Sequence, residues 1–159
     1  MSSKIVNLKE LKKILTIKRK EKKKVAFTNG CFDILHYGHV KYLTQAKKMA
    51  DILVVGVNTD SSVKKIKGKK RPINPLKHRM EVLAGLEAID YLISFKETTP
   101  YRLIKEIKPD VLIKGGDWKP NEIVGKDIVE AYRGKVITLP YIKGVSTTNL
   151  IRKIVQRFG

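Results

Sequence analysis

One cysteine in 159 residues, Cys31, leaves no partner for an intramolecular disulfide and cannot build a cysteine-only metal site. No apolar run approaches the ~20 residues a bilayer span requires. The opening MSSKIVNLKELKKIL lacks the apolar stretch that directs export, so a reducing cytoplasm is the expected compartment, with no membrane partner. Phosphate-loop signatures are missing too. There is no G-x-x-x-x-G-K-[ST] and no G-x-G-x-x-G, which disfavours a P-loop kinase or a dinucleotide-dependent dehydrogenase. Acidic residues are scarce, 15 against 34 Lys and Arg, and the net charge is +19. Such a balance attracts anions, whether nucleotides, sugar phosphates or nucleic acid, and does not choose among them. Segments such as IKRKEKKK and KKIKGKKR would suit a nucleic-acid-binding module. The single Trp and four Phe are scattered rather than grouped for base stacking, and no nucleic-acid partner is expected.

What is present alternates between two kinds of segment. VAFTN (25–29), DILVVGVN (51–58), DYLISF (90–95), DVLIKG (110–115) and KVITLP (135–140) are short, β-branched and almost continuously apolar. That pattern suits strands buried on both faces of a parallel sheet. Helical periodicity fills the intervals, over 38–49, 75–87, 99–107, 122–132 and 147–157. A leading helix is expected over 8–19, with Asn7 as N-cap and Glu10 completing a capping box. The alternation predicts an α/β doubly wound sheet in one domain, 1–159, with 1–24 as a leading amphipathic helix and basic segment. In such sheets ligands bind beyond the carboxyl ends of the strands, which puts the loops after residues 29, 58, 115 and 140 on one rim. KKIKGKKRP (64–72) reads as a mobile, charge-dense loop.

The segment FTNGCFDILHYGHVKYL (27–43) sits on that rim and holds His36, Gly38 and His39. A helix N-terminus offers unpaired N–H groups and partial positive charge, both suited to phosphate. Positions i and i+3 share a helix face, so both imidazoles can address one bound group. Gly38 permits close approach of backbone to ligand, and the NGCF turn adds main-chain donors. A shared zinc ion is disfavoured because no third ligand stands at motif spacing, and no resident metal is expected.

These residues resemble the H-x-G-H signature of the nucleotidylyltransferase superfamily, in its cytidylyltransferase-like branch. Further matches follow in order: GVNTD (56–60), VKKIKG (63–68), RPINP (71–75), HR (78–79), VLIKGGDWKP (111–120) and GVSTT (144–148). Together they are most similar to the ADP-heptose synthase adenylyltransferases, which in many bacteria form the C-terminal half of a two-domain enzyme. Two departures separate the sequence from glycerol-3-phosphate cytidylyltransferases, since Glu87 and Tyr141 stand where those enzymes usually carry Arg. The kinase half does not lie within these 159 residues, so a separate protein is expected to phosphorylate the sugar.

The resemblance implies a Rossmann-like sheet and transfer of AMP from ATP to D-glycero-β-D-manno-heptose 1-phosphate, giving ADP-heptose and pyrophosphate. Transfer from CTP and FAD synthetase-like transfer to FMN are the related alternatives. Its implied roles give His36 and His39 to the ATP phosphates, and the amides of Cys31 and Phe32, with Gly38, to the α-phosphate. Lys64 and Lys67 would close over the reacting groups, and Arg79 would meet the triphosphate. Gly115, Gly116, Asp117 and Trp118 would lie near the nucleoside, and Ser146, Thr147 and Thr148 would hold the β- and γ-phosphates. Mg²⁺ would arrive with ATP. The acceptor's phosphate is already anionic at neutral pH, its second pKa being about 6, so no catalytic base is expected. Asp33 reads as a structural residue holding the turn. A homodimer or larger homo-oligomer is also implied.

Overall fold

A computed structural model describes residues 2–116 and 118–159. Each apolar run forms a strand: β1 (Val25–Gly30), β2 (Ile52–Asn58), β3 (Tyr91–Phe95), β4 (Val111–Gly115) and β5 (Lys135–Leu139). They build one parallel sheet in the order β3-β2-β1-β4-β5. This is the five-stranded, doubly wound, Rossmann-like architecture, with the order reversing between β1 and β4. Loops leaving those two strands diverge to opposite faces, which opens a crevice at their carboxyl ends.

Helices cover both faces. On one, Leu43 and Ala46 of α2 (Tyr37–Lys47) and Met80 and Leu83 of α4 (Leu76–Ala84) pack on Ala26, Val55 and Ile113. On the other, Leu11 and Leu15 of α1 (Leu8–Lys20) meet Phe27, Val54 and Leu112. Leu103, Ile104 and Ile107 of α5 (Tyr101–Ile107) and Val129 of α6 (Lys126–Ala131) complete that layer. Full burial of each such side chain is worth about 1.5–3 kcal/mol, which fixes strand register from both sides. The Asn7–Glu10 capping box starts α1, with Asn7 Oδ1 accepting from the Glu10 amide at 3.0 Å.

Three segments differ from the periodic pattern. Lys64 and Lys67 lie not in a loop but on α3 (Asp60–Lys67), capped by the Thr59 hydroxyl and anchored by buried Val63. The helix expected over 122–132 breaks into a 3-10 turn, Pro120–Glu122, and a short α6, because Gly125 adopts φ +87° between them. Helix α4 ends at Ala84, three residues early, with Gly85 as its C-cap. The last helix, α7 (Thr147–Phe158), runs as expected. Among the described residues no helix is long and apolar enough to cross a membrane.

Candidate functional site

The crevice over β1 and β4 is a cavity of about 880 Å³, within the size range of small-molecule sites. It draws its lining from the loops after β1, β2, β4 and β5, as the strand ends dictate.

The β1–α2 turn builds one wall. Phe32 sits at φ +46°, a left-handed conformation that costs a non-glycine residue about 1–2 kcal/mol. Asp33 holds the turn. Its carboxylate, fully inaccessible, accepts from the amides of Ile73 and Asn74 at 2.8–2.9 Å and from the Arg71 guanidinium. Burial alone would raise the Asp33 pKa; the two amides and Arg71 outweigh it and hold the carboxyl below its usual range. With every oxygen engaged, Asp33 has no capacity left as a base. The amides of Cys31 and Phe32 find no protein acceptor among the described residues and remain available to a ligand.

His36 and His39 stand at the start of α2 with rings stacked, centroids 3.7 Å apart and planes 18° from parallel. His36 is the N-cap, and its Nδ1 accepts from the His39 amide at 3.4 Å. That bond leaves the proton of neutral His36 on Nε2, the atom free to donate. His39 is edge-on to Phe32, and its Nδ1 is buried without a partner. Burial, reinforced by His36 alongside, pushes His39 down to about 4, although the Ile34 backbone opposes it. Burial also lowers His36. Two neutral imidazoles therefore wait at a helix N-terminus for an anion. Gly38 lies between them, where a Cβ would meet the His36 ring at 3.1 Å and Val145 at 3.2 Å.

Val145 leads into α7, whose N-cap Ser146 accepts from the Asn149 amide at 3.1 Å. Ser146, Thr147 and Thr148 line the cavity, bringing a second helix N-terminus to it. Cys31, Phe32, Lys67, Gly115 and Trp118 are in the lining as well. The Trp118 indole donates to the Gly115 carbonyl at 2.8 Å. Gly116, at φ +99°, lies buried under the Tyr141 ring, where a Cβ would approach Cε2 to 2.4 Å. Asp117 falls outside the described residues.

Besides Gly116, two expected site residues do not reach the cavity. Lys64 is exposed on α3 and absent from the lining. Arg79 is 2% exposed. Its guanidinium donates to the carbonyls of Cys31, Asn58 and Asn74 and to the Asp60 carboxylate, so it ties together the loops after β1 and β2 rather than meeting a triphosphate. Several residues that line the cavity were not singled out from the sequence, among them Lys114, Lys41 and Gln45. Lys41 and Gln45 follow His36 and His39 along the ligand-facing side of α2, and that helical spacing was the available signal.

Asp33 is consumed by its partners, and among the described residues no group of three or more His, Cys, Asp or Glu is arranged to hold an ion.

Comparison with known proteins supplies the family and the fold. Residues 27–153 match the family described as cytidylyltransferase-like. The chain is 50% identical over 157 residues to the bifunctional protein HldE of Geobacter metallireducens, covering 99% of this chain and 32% of that protein. It is 53% identical over 152 residues to bifunctional protein HldE of Escherichia coli O139:H28, covering 96% and 32%. The chain thus spans about a third of the length of these curated relatives. Among solved structures it resembles the lipopolysaccharide core biosynthesis protein of Thermoplasma volcanium. That match has a TM-score of 0.62 and 29% identity, over 76% of this chain and 98% of the other. The pantoate-beta-alanine ligase of Francisella tularensis, 18% identical with a TM-score of 0.61 over 96% and 79%, shares the fold.

Proposed function

The chain belongs to the cytidylyltransferase-like family, and from that premise we propose that it is an adenylyltransferase joining AMP to a sugar 1-phosphate. The acceptor is D-glycero-β-D-manno-heptose 1-phosphate and the products are ADP-heptose and pyrophosphate. The observation that carries this is the stacked His36–His39 pair at the N-terminus of α2, facing the same cavity as the N-terminus of α7.

In the reaction, an anionic oxygen of the acceptor's phosphate forms a bond to the α-phosphorus of ATP. The bond from that phosphorus to the α,β-bridging oxygen breaks, and pyrophosphate leaves with the electron pair. No proton need be removed from the nucleophile, which agrees with a site whose buried carboxylate is fully engaged. The obstacle is charge, and preorganised donors are the lever available. His36 donates from Nε2 to the α-phosphate region, and His39 gains a proton or a hydrogen bond when a phosphate arrives beside it. The Cys31 and Phe32 amides hold the α-phosphate, and the α7 N-terminus with Ser146, Thr147 and Thr148 takes the β- and γ-phosphates. Lys67 approaches from α3. Gly115, Trp118 and Tyr141 border the nucleoside. The nucleotide enters as its Mg²⁺ complex, the ion belonging to the substrate and held by phosphate and water.

We further propose a homo-oligomer, supported by the exposed Ile154, Val155 and Phe158 along α7. Light scattering checks this.

Incubation with Mg-ATP and heptose 1-phosphate, read by mass spectrometry, should yield the nucleotide sugar, and CTP should support it far less. Turnover with CTP alone would reassign the nucleotide, and pyrophosphate release without an acceptor would reject sugar transfer.

A further inference from the structure

The groups assigned to the nucleotide's phosphates at the starts of α2 and α7 lie on one side of the sheet. Helix α2 packs through Leu43 and Ala46 against Ala26, Val55 and Ile113, and Val145 at the start of α7 touches the same helix at Gly38. The cavity also opens over the opposite face. Side chains alternate along a strand. Lys114 therefore shares the face of Leu112, and Asn29 shares that of Phe27, both members of the cluster under α1, α5 and α6. Thr98, Thr99 and Pro100, which lead into α5, and Glu122 and Val124, before α6, line the cavity on this side.

Lys114 is the charged group at the floor of this second lobe. Its Nζ donates to Asn29 Oδ1 across the β4–β1 junction, and among the described residues no carboxylate pairs with it. An ammonium buried beside a neutral amide is an unbalanced cation, and it is stabilised by an anion that enters the cavity. It lies where the strand order reverses, across β1 from the histidine pair.

We propose that Lys114, oriented by Asn29, binds the phosphate of the acceptor, and that the lobe over α5 and α6 holds the acceptor's polyhydroxylated body. This rests on the nucleotidyl-transfer reading above. Thr98, Thr99 and Glu122 supply hydroxyls and a carboxylate of the kind that bind sugar hydroxyls. The lysine then holds the nucleophilic phosphate on the far side of the α-phosphorus from the leaving pyrophosphate, as in-line displacement requires.

The test measures two affinities separately. Mannose 1-phosphate serves as a stand-in acceptor and α,β-methylene-ATP as a nucleotide that cannot react. In Lys114→Gln the dissociation constant for the sugar phosphate should rise at least tenfold while that for the nucleotide analogue stays within about twofold. Lys114→Arg, which keeps the charge, should restore part of the loss. An equal or larger loss of nucleotide affinity would place Lys114 on the nucleotide's own phosphates, and unchanged affinity for both would remove it from binding; either overturns the proposal. Should the variants not fold, the native protein answers. Burial pushes Lys114 down to about 8, so sugar-phosphate affinity should fall as pH rises through 8–9 with nucleotide affinity flat. The other titratable or charged groups lining the cavity are Cys31 and Asp33 on the β1 turn, Lys67 on α3, Arg71, Glu122, Tyr141, Lys143, the two histidines, and Lys41 and Tyr42 of α2. Cys31 and Tyr141 are raised by burial and gain negative charge only at higher pH, and the histidines are already neutral. A flat profile for the sugar phosphate would overturn the proposal. Failure of the native protein to make any nucleotide sugar, with Lys114-dependent sugar-phosphate binding intact, would instead strike the proposed reaction alone.

Discussion

At His36 one side chain has two tasks: its Nδ1 caps α2 while the ring lines the cavity with Nε2 left to donate. Those roles separate by substitution. Asn is a strong N-cap, so His36→Asn should fold as stably as the native protein yet lose about 10²–10³ in kcat, the usual cost of removing a preorganised donor. His36→Ala should lose the same activity and about 1 kcal/mol of stability besides. Steady-state kinetics beside urea denaturation would check both, and an active Asn variant would return the residue to a capping role. His39 makes a second prediction. Its unfolded form takes a proton near 6.5 and its native form only near 4. Between those values the unfolded state binds more protons, so stability falls as pH drops from about 6.5 to 4, by at most roughly 3 kcal/mol. His39→Gln should flatten that slope in acid-denaturation curves. A slope unchanged in the variant would show that another group carries it.

At the scale of elements, the strands were legible because burial on both faces leaves runs with no alternation, a pattern few other structures share. The H-x-G-H turn was legible for a different reason, since chemistry confined two histidines and a glycine to fixed spacing. Helix α3 was hidden: its three lysines drown an apolar face of only Val63 and Ile66, and the composition read as a loop. Arg79 was misread on the same ground, because in a chain with 34 basic residues nothing local distinguishes a buried guanidinium from a solvated one. Its four donors join α3, α4 and the β1 turn, which only tertiary structure reveals. Arg79→Ala should strand three carbonyls and the Asp60 carboxylate, costing ~3 kcal/mol or more and lowering activity through the walls of the site. Chemical denaturation would show it; a loss of ATP affinity at native stability would mean that Arg79 touches the nucleotide after all. Lys114 escaped notice because a lysine ending a β-branched run looks like an edge residue, whereas β4 is an interior strand.

For the whole molecule, a charge of +19 acts on two polyanionic substrates at once. Long-range attraction of this kind is screened beyond about 8 Å at 0.15 M salt. The kcat/KM for ATP and for the acceptor should therefore fall several-fold between low salt and 0.5 M, while kcat, set by groups inside the cavity, changes little. A stopped-flow or steady-state salt series reads this, and a kcat that falls in step with kcat/KM would tie the surface charge to the chemical step. The central claim is narrower: an oxygen of the sugar phosphate attacks the α-phosphorus with the histidine pair alongside. It is tested most directly by heptose 1-phosphate carrying ¹⁸O in its phosphate group, followed by mass analysis of both products. All of the label is expected in the nucleotide sugar, including the new bridge, with none in pyrophosphate; label in pyrophosphate, or release of unlabelled AMP in place of the sugar nucleotide, would contradict it.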